Sequence, residues 1–262
     1  MPGRCFVILP FPVTNNNKNN MLLKQFYSVD GDHIRISAEQ ASTFAKEIAH
    51  DFNPLHDVDA KRFCVPGDLL FSLVLEKYGL SQHMQFVFSG MVGDAVPLRF
   101  PADDGDSLDV TDGQGKTCLQ IQRSGPVSRD SVMIEALIRD YVAFSGQNFP
   151  YVLVPLLAKE NIMFNIDRPL VIYESMTITM SRVDFHEPKL ETLEPKMEAN
   201  GKRATAFLHF QIRDTDEIVG SGFKKLAVSG LREYEDQPMQ DFVNDYLARK
   251  HGYLGKLAQE AV

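Results

Sequence analysis

Cysteine, long apolar runs and positive charge are all scarce in this sequence of 262 residues, and each scarcity excludes a class of protein. The three cysteines, Cys5, Cys64 and Cys118, lie far apart with no Cys-x-x-Cys spacing, which argues against a zinc site, a redox pair and structural disulfides. No apolar run approaches the length of a membrane-spanning helix. We therefore expect a soluble, cytoplasmic protein that holds no metal or cofactor and has no membrane partner.

The balance of charge disfavours a nucleic-acid partner. The chain has 27 Lys and Arg against 35 Asp and Glu, which gives a formal net charge of −8. Binding of DNA or RNA relies on clustered Lys and Arg, whereas here they are scattered. Hydrophobic residues make up 44% of the chain, enough for a substantial core, so we expect a globular protein.

Residues 1–20 differ from the rest because they contain the polar run TNNNKNN, which cannot pack into a core. A second methionine, Met21, follows at once and opens a segment with structured character. We predict that residues 1–20 are a disordered extension or reflect a misplaced start codon, and that the domain begins near Met21. Mass spectrometry of the native N-terminus would test the second version.

A first helix is predicted to begin at Ser37. Ser37 and Gln40 match a capping box, and apolar side chains follow at helical spacing. Pro54 disfavours helical geometry in the residue before it, so this helix should end at Asp51 or Phe52.

A second helix should begin near Gly67 and end at Gly79. Residues 69–75 are apolar on nearly every side of this helix, which predicts burial on most faces within a curled sheet. Strand-like runs follow, and the Asp- and Gly-rich residues 102–115 between two of them are predicted to be turns.

From about residue 127 the order of elements begins again. A helix, the loop SGQNFP at residues 145–150, a second apolar helix and several strands follow one another, with a hairpin turn at Asn200-Gly201. We predict two units, residues 21–126 and 127–236, each with an antiparallel sheet around a long apolar helix, and the two sheets paired edge to edge. Residues 237–262 should form a closing surface helix.

The segment HDFNPLH, residues 50–56, stands in the loop ahead of the second helix. With the predicted order of elements, it resembles the MaoC-like (R)-specific enoyl-CoA hydratases, whose hallmark is roughly Gly-Asp-x-Asn-Pro-(Leu/Ile/Val)-His. The matching residues are Asp51, Asn53, Pro54, Leu55 and His56. The resemblance implies an α+β fold of the hotdog type, here a double hotdog with both halves in one chain. The chain from Met21 onward is also similar to a bacterial family of hotdog proteins known only as a domain of unknown function.

The resemblance implies that Asp51 and His56 hold one water, add hydroxide to the β-carbon of a trans-2-enoyl thioester and protonate its α-carbon. A carboxylate and an imidazole that reach the same water can act as base and acid in turn. Asn53 would orient the loop or the water. Gly67 would donate its N–H to the thioester oxygen as negative charge develops there.

Three features depart from the hallmark. His50 stands where the family has glycine, and Pro66-Gly67 replaces the family's His-Gly at the head of the buried helix. Asp68 places a carboxylate beside the expected oxyanion, which it would disfavour unless it is turned away or paired. The loop at residues 145–150 has no Asp or His in matching places, so at most one acid/base site per chain is implied.

Two neighbouring sets of residues admit other interpretations. Lys61 and Arg62 are candidate contacts for the phosphates of CoA or the acidic face of an acyl carrier protein, and equally fit ordinary surface cations. A second set suggests a metal cluster, but its spacing matches no known loop and favours a solvated acidic turn. This set comprises His50, His56, Asp57 and Asp59.

The sequence thus favours an acyl-thioester-binding protein that is an enoyl-CoA hydratase or 3-hydroxyacyl thioester dehydratase, a lyase that uses Asp51 and His56 with Asn53 and Gly67. The alternatives are a non-catalytic acyl-CoA-binding or regulatory protein and a thioesterase. The expected partner is an acyl-CoA or acyl carrier protein thioester. A chain with both hotdog halves is expected to be a monomeric pseudo-dimer or a homodimer.

Overall fold

The structure is a computed structural model that describes residues 22–102 and 105–260, so the predicted extension at residues 1–20 lies outside it. Short 3-10 helices cover Leu22–Phe26 and Pro54–His56, and a π-helical turn covers Phe44–Ile48. The α-helices are α1 (Ala38–Thr43), α2 (Gly67–Tyr78), α3 (Ser131–Gly146), α4 (Asn148–Tyr151), α5 (Leu153–Lys159) and α6 (Asp236–Glu260).

The strands form one large antiparallel sheet and a small two-stranded one. The first six are β1 (Ser28–Asp30), β2 (His33–Arg35), β3 (Leu80–Phe88), β4 (Leu98–Arg99), β5 (Ser107–Asp112) and β6 (Thr117–Ser128). The others are β7 (Ile162–Met163), β8 (Val171–Met180), β9 (Pro188–Thr192), β10 (Lys196–Asn200), β11 (Arg203–Asp214), β12 (Glu217–Ser229) and β13 (Arg232–Glu233). The large sheet runs β1-β2-β4-β5-β6-β3-β8-β12-β11-β10, with β9 also on β11, and β13 pairs with β7.

The two parts of the large sheet meet at β3 and β8. These strands pair antiparallel, with His83 opposite Thr179 and Phe86 opposite Met176. The predicted edge-to-edge pairing is therefore confirmed, and so is the fold class, an α+β double hotdog. The boundaries predicted for the two units stay predictions.

Helix α2 is buried along almost its whole length, as its apolar sequence predicts. Leu69, Phe71 and Leu75 have no exposed surface, and Gly79 ends the helix with a φ of +83°. The Phe71 ring lies 5.2 Å from that of Phe86 on the sheet and 4.5 Å from that of Tyr141 on α3. Truncation of such a side chain to alanine costs about 3–5 kcal/mol of stability, so this contact fixes α2 against both layers.

Three local predictions were wrong. The loop predicted at residues 145–150 is mostly helical, because α3 continues to Gly146 and α4 begins at Asn148. The first helix begins at the predicted capping box but ends at Ile48, because its last turn is π-helical and His50 then adopts a left-handed φ of +54°. Residues 102–115 include the strand β5, where Leu108 and Val110 face the core and the residues before each are exposed. The Asp and Gly residues around β5 obscured this alternation in the sequence.

The remaining elements agree with the sequence more closely. Asn200-Gly201 turns between β10 and β11, and the helices α3 and α6 lie where the apolar periodicity indicates them. Within the two described stretches, no helix has both the length and the apolar composition needed to cross a membrane.

Candidate active site

The loop Asp51–His56 is held by hydrogen bonds among its own residues. The carboxylate Oδ1 of Asp51 accepts the backbone N–H of Asn53 at 2.9 Å, and the side-chain Oδ1 of Asn53 accepts the N–H of Leu55 at 3.1 Å. Asn53 thereby caps the short 3-10 helix, and Pro54 begins that helix with a φ that is already fixed. These hydrogen bonds order the loop around Asn53, whose role in the reaction stays a prediction.

His56 is oriented by a backbone carbonyl. Its Nδ1 lies 2.7 Å from the carbonyl oxygen of Cys64, and because a carbonyl oxygen only accepts, Nδ1 carries the proton. The other ring nitrogen, Nε2, then has a free lone pair when the ring is neutral. Burial raises the pKa of the Cys64 thiol to about 11, so this cysteine acts at the site through its backbone and remains a thiol.

Asp51 and His56 face each other at a distance that suits a shared water. The Nε2 of His56 lies 3.7 Å from the Oδ2 of Asp51, and the two side chains are only 12% and 26% exposed. This distance is too long for a good direct hydrogen bond, but one water can bond both atoms at once. Since Oδ1 of Asp51 is already occupied, Oδ2 is the atom left for that water.

The surroundings of Asp51 move the pKa of its carboxyl group toward neutral pH. Partial burial raises the pKa of the Asp51 carboxyl group above its ordinary value, His56 and Lys224 oppose that rise, and Asp68 adds to it. A carboxylate with a raised pKa holds a proton more readily, which suits a group that takes and returns one.

Gly67 begins α2, as predicted, and two aromatic rings lie over it. A Cβ at this position would stand 3.0 Å from a ring carbon of Tyr173 and 3.1 Å from one of Phe88. The two rings contact each other with their centroids 4.5 Å apart. The first N–H groups of a helix have no acceptor within the helix, so the backbone N–H of Gly67 is the expected donor. The two rings narrow the space through which a thioester oxygen would reach it.

Asp68 is turned into the core and paired. Only 7% of it is exposed, the hydroxyl of Ser145 donates to its Oδ2, and the ammonium Nζ of Lys224 lies 3.8 Å from its Oδ1. Lys224 also donates to the Ser145 hydroxyl oxygen. The carboxylate of Asp68 is thus paired, which meets one of the two conditions under which it would not disfavour the oxyanion.

Sequence reasoning missed Ser145 and Lys224, although both leave a signal. Lys224 and Lys225 are consecutive on β12, and because side chains alternate along a strand, one of them has to face the core. Ser145 falls on the apolar face of α3, four residues after the buried Tyr141. A polar residue on each of two buried faces is the pattern of a buried pair.

The C-terminal helix α6 covers the outer side of the loop. The hydroxyl of Tyr246 accepts the backbone N–H of Phe52 at 3.1 Å, and Nζ of Lys250 donates to the carbonyl of His50 at 3.3 Å. A cleft of about 130 Å³ lies between the helix and the loop. Its lining consists of Lys46, Phe52, Asp57, Arg249 and Tyr253, so it borders the site without including Asp51 or His56.

Other predicted residues lie outside the pair. Lys61 and Arg62 are exposed on the turn between the 3-10 helix and α2. His50 is half-buried, and its left-handed φ is the conformation that glycine adopts most easily. In the part of the chain that the structure describes, no three His, Cys, Asp or Glu side chains are grouped to hold a metal ion.

Comparison with known proteins gives a family and several similar structures. A family model described as "Protein of unknown function (DUF3581)" matches residues 21–237. A search of curated proteins found no similar sequence. Full-length peroxisomal multifunctional enzyme type 2 from Drosophila melanogaster aligns at 12% identity and a TM-score of 0.42, over 74% of this chain and 48% of that enzyme's length.

Two shorter proteins align over nearly their whole length. Acyl-CoA thioesterase II from Mycobacterium marinum has 12% identity and a TM-score of 0.41, with 81% of this chain and 96% of that one covered. A MaoC-like dehydratase has 9% identity and the same TM-score of 0.41, with 78% of this chain and 98% of that one covered.

Proposed function

The chain belongs to the family described as "Protein of unknown function (DUF3581)", and we propose that it is an acyl-thioester hydratase or dehydratase. In this proposal Asp51 and His56 are the acid/base pair. Asn53 holds the loop that carries them, and Gly67 donates to the thioester oxygen.

The observation that carries the proposal is the orientation of His56. Its Nδ1 is fixed as a donor to the Cys64 carbonyl, which leaves Nε2 as an acceptor 3.7 Å from the Asp51 carboxylate. A histidine that serves only as a structural hydrogen-bond donor has no need of a carboxylate at its second nitrogen. A water between the two atoms would have an acceptor on either side of it.

The reaction adds the elements of water across the double bond of a trans-2-enoyl thioester. The pair accepts one proton from the water, the hydroxide oxygen forms a bond to the β-carbon, and electrons move onto the thioester oxygen. The N–H of Gly67 at the positive end of α2 stabilises that oxygen. The pair then returns a proton to the α-carbon, so that it ends in its starting state, and dehydration is the reverse.

The proposed partners follow from the same reaction. The substrate is an acyl-CoA or an acyl carrier protein thioester, and Lys61 and Arg62 are available on the exposed turn to contact phosphate groups or acidic side chains. We propose a cytoplasmic location and a monomeric pseudo-dimer or homodimer, which light scattering on the purified chain would distinguish.

A non-catalytic acyl-thioester-binding protein is the second candidate. The observation in its favour is that Phe88 and Tyr173 cover the start of α2 while α6 covers the outer side of the loop. A thioesterase is the third, with less support because the Asp/Asn/His pattern is that of hydratases.

One experiment separates the three candidates. The purified chain is incubated with crotonyl-CoA and with a longer trans-2-enoyl-CoA, while the enoyl-thioester absorbance and the release of free thiol are followed together. A hydratase removes the absorbance without releasing thiol, a thioesterase releases thiol, and a binding protein does neither but binds saturably. Equal loss of absorbance with wild type and with His56→Ala would overturn the proposal.

A further inference from the structure

A second group of polar side chains lies buried beside the Asp51–His56 pair, and the proposed reaction does not use it directly. Asp68, Ser145 and Lys224 are 7%, 5% and 4% exposed and come from α2, α3 and β12. We call these three residues the buried triad. Two tyrosines, Tyr141 and Tyr173, adjoin the triad and are hydrogen-bonded to each other through their hydroxyl groups at 2.6 Å.

Lys224 is the centre of the triad. Its ammonium donates to the hydroxyl oxygen of Ser145, which in turn donates to Oδ2 of Asp68, and it lies 4.1 Å from the centre of the Tyr173 ring. The Oδ1 atom of Asp68 is buried and has no hydrogen-bond partner among the described residues. The ammonium 3.8 Å away is the charge that compensates it.

The triad lies on a face of β12 where apolar side chains would be expected. Leu226 and Val228 follow Lys224 at every second position of β12 and are buried on the same face. A buried ion pair is often no more stable than apolar side chains of similar volume, because both charges lose their hydration. Stability alone therefore does not account for a lysine at this position, whereas a nearby site that uses its charge would.

The triad adjoins the backbone of the site loop. Gly146, the residue after Ser145, lies so close to that loop that a Cβ on it would overlap the carbonyl oxygen of Ala49 and stand 3.1 Å from the backbone nitrogen of Asp51. The end of α3 thus contacts the chain at Asp51. The charges also interact, since Lys224 favours the ionised form of Asp51 and Asp68 opposes it.

We propose that Lys224 is a positioning residue of the site, whose ammonium offsets the two carboxylates of Asp51 and Asp68 and keeps Asp51 ionised for activating water. Ser145 bridges the lysine to Asp68 and so holds the ammonium in place. The reaction role in this inference rests on the proposed function, whereas the charge relation between Lys224 and Asp51 is independent of it.

Several titratable groups affect the pKa of Asp51 and that of Lys224. Asp51 is influenced by His56 on its own loop, Asp68 on α2 and Lys224 on β12, and it in turn acts on Tyr246 and Lys250 of α6. Burial lowers the pKa of Lys224, Asp68 and Asp51 oppose that fall, and the rings of Tyr141 and Tyr173 lie 6.0 and 4.1 Å from its Nζ. Removal of the Lys224 charge should raise the pKa of Asp51, whereas removal of the Asp68 charge should lower it.

The test measures the titration of Asp51 in variants of the full chain. The carboxyl carbon of Asp51 is followed by ¹³C NMR, with its signal assigned by its loss in Asp51→Asn, and the pH dependence of kcat/KM is recorded in parallel. Lys224→Met should raise the midpoint of Asp51 by about one pH unit, since an opposite charge nearby favours ionisation by about that much or more. Lys224→Arg should restore it, and Lys225→Met, on the exposed side of the same strand, should leave it unchanged.

The carboxylate of Asp68, whose effect on Asp51 is opposite to that of Lys224, provides the second variant. Asp68→Asn removes a like charge and should lower the midpoint of Asp51, so it decides the matter if Lys224→Met does not fold. An unchanged midpoint in folded Lys224→Met, or an unchanged or raised midpoint in Asp68→Asn, would overturn the inference. Absence of turnover in the wild type would reject the proposed function instead, and the NMR titration would still test the charge relation.

Discussion

Two segments that connect helices in this chain, a loop and a partly helical segment, occupy similar places in the order of elements but carry different chemistry. The loop Asp51–His56 follows a helix and leads to the buried helix α2, and the segment Gln147–Val152 follows α3 and leads to α5. Each contains an asparagine shortly before a proline, but only the first has a carboxylate and an imidazole facing each other. In the second, Asn148 is buried, and its side-chain nitrogen has no partner in the described part of the chain.

The two parts of the chain contribute different residues to the same candidate site. In the proposed reaction the first loop holds the groups that exchange protons, whereas Ser145 and Lys224 come from the second part of the chain, where they bind and offset Asp68. This arrangement supports one acid/base pair per chain. In our proposal the charge at Asp51 is adjusted by residues that are distant from it in the sequence.

Removal of the acid/base pair should have a far larger effect than a change in the segment Gln147–Val152. We expect Asp51→Asn and His56→Ala each to lower kcat/KM by about 10²–10⁴, and the double variant to lose no more than the worse of the two, because groups that act as a unit are not additive. Gln147→Ala, between α3 and α4, should change turnover by less than about twofold. Multiplicative losses in the double variant would show that the two residues act separately.

The next largest effect should separate the buried lysine from its exposed neighbour. Lys224→Met should lower the free energy of unfolding by roughly 3 kcal/mol, because it leaves Asp68 buried without its cation. Lys225→Met should cost less than about 1 kcal/mol, since its 3.0 Å pair with Glu174 is exposed to solvent. Urea unfolding measures both. Adding Asp68→Asn to Lys224→Met should recover much of the loss, and failure to recover would mean that packing dominates.

A smaller effect should distinguish a carboxylate kept for function from one kept for stability. Because the folded pKa of Asp51 is raised, its stabilising contribution is present below the ordinary pKa and is lost as pH rises through the folded value. Asp51→Asn should therefore raise the Tm of the chain at pH 7, and the gain should fade as pH falls toward the ordinary pKa of an aspartate. Thermal unfolding across this pH range measures it. Destabilisation at pH 7 would contradict the expectation.

The smallest effect should come from the exposed turn beyond the first loop. Lys61→Ala and Arg62→Ala are expected to raise KM about two- to fivefold at low ionic strength with kcat unchanged, and the difference should shrink with added salt because exposed charges are screened. Lys202→Ala, an exposed lysine in the β10–β11 turn, is the matched control. The same KM for all three variants would show that the turn has no part in binding.

The sequence predicted those features that depend on neighbours along the chain. The capping box at Ser37 and Gln40, the end of α2 at Gly79 and the Asn200-Gly201 turn are local signals, and each appears where expected. The hallmark residues of the first loop are likewise close in sequence, so their proximity could be foreseen.

Features that depend on tertiary contacts could not be located in this way. The left-handed turn at His50 lies where α3 approaches the loop, with Gly146 against the carbonyl of Ala49. The pairing of Asp68 with Lys224 joins residues from distant parts of the chain. Alternation on β12 shows that one of two lysines faces inward, but it does not show which carboxylate that lysine meets.

If His56 and Asp51 share one water as acid and base, the neutral imidazole of His56 must carry its proton on Nδ1. The direct measurement is ¹⁵N NMR of the ring nitrogens of His56 at a pH where the ring is neutral, assigned by comparison with His56→Ala. We expect a protonated Nδ1 and an unprotonated Nε2. A proton on Nε2 would leave no acceptor facing Asp51 and would contradict the proposed acid/base pair.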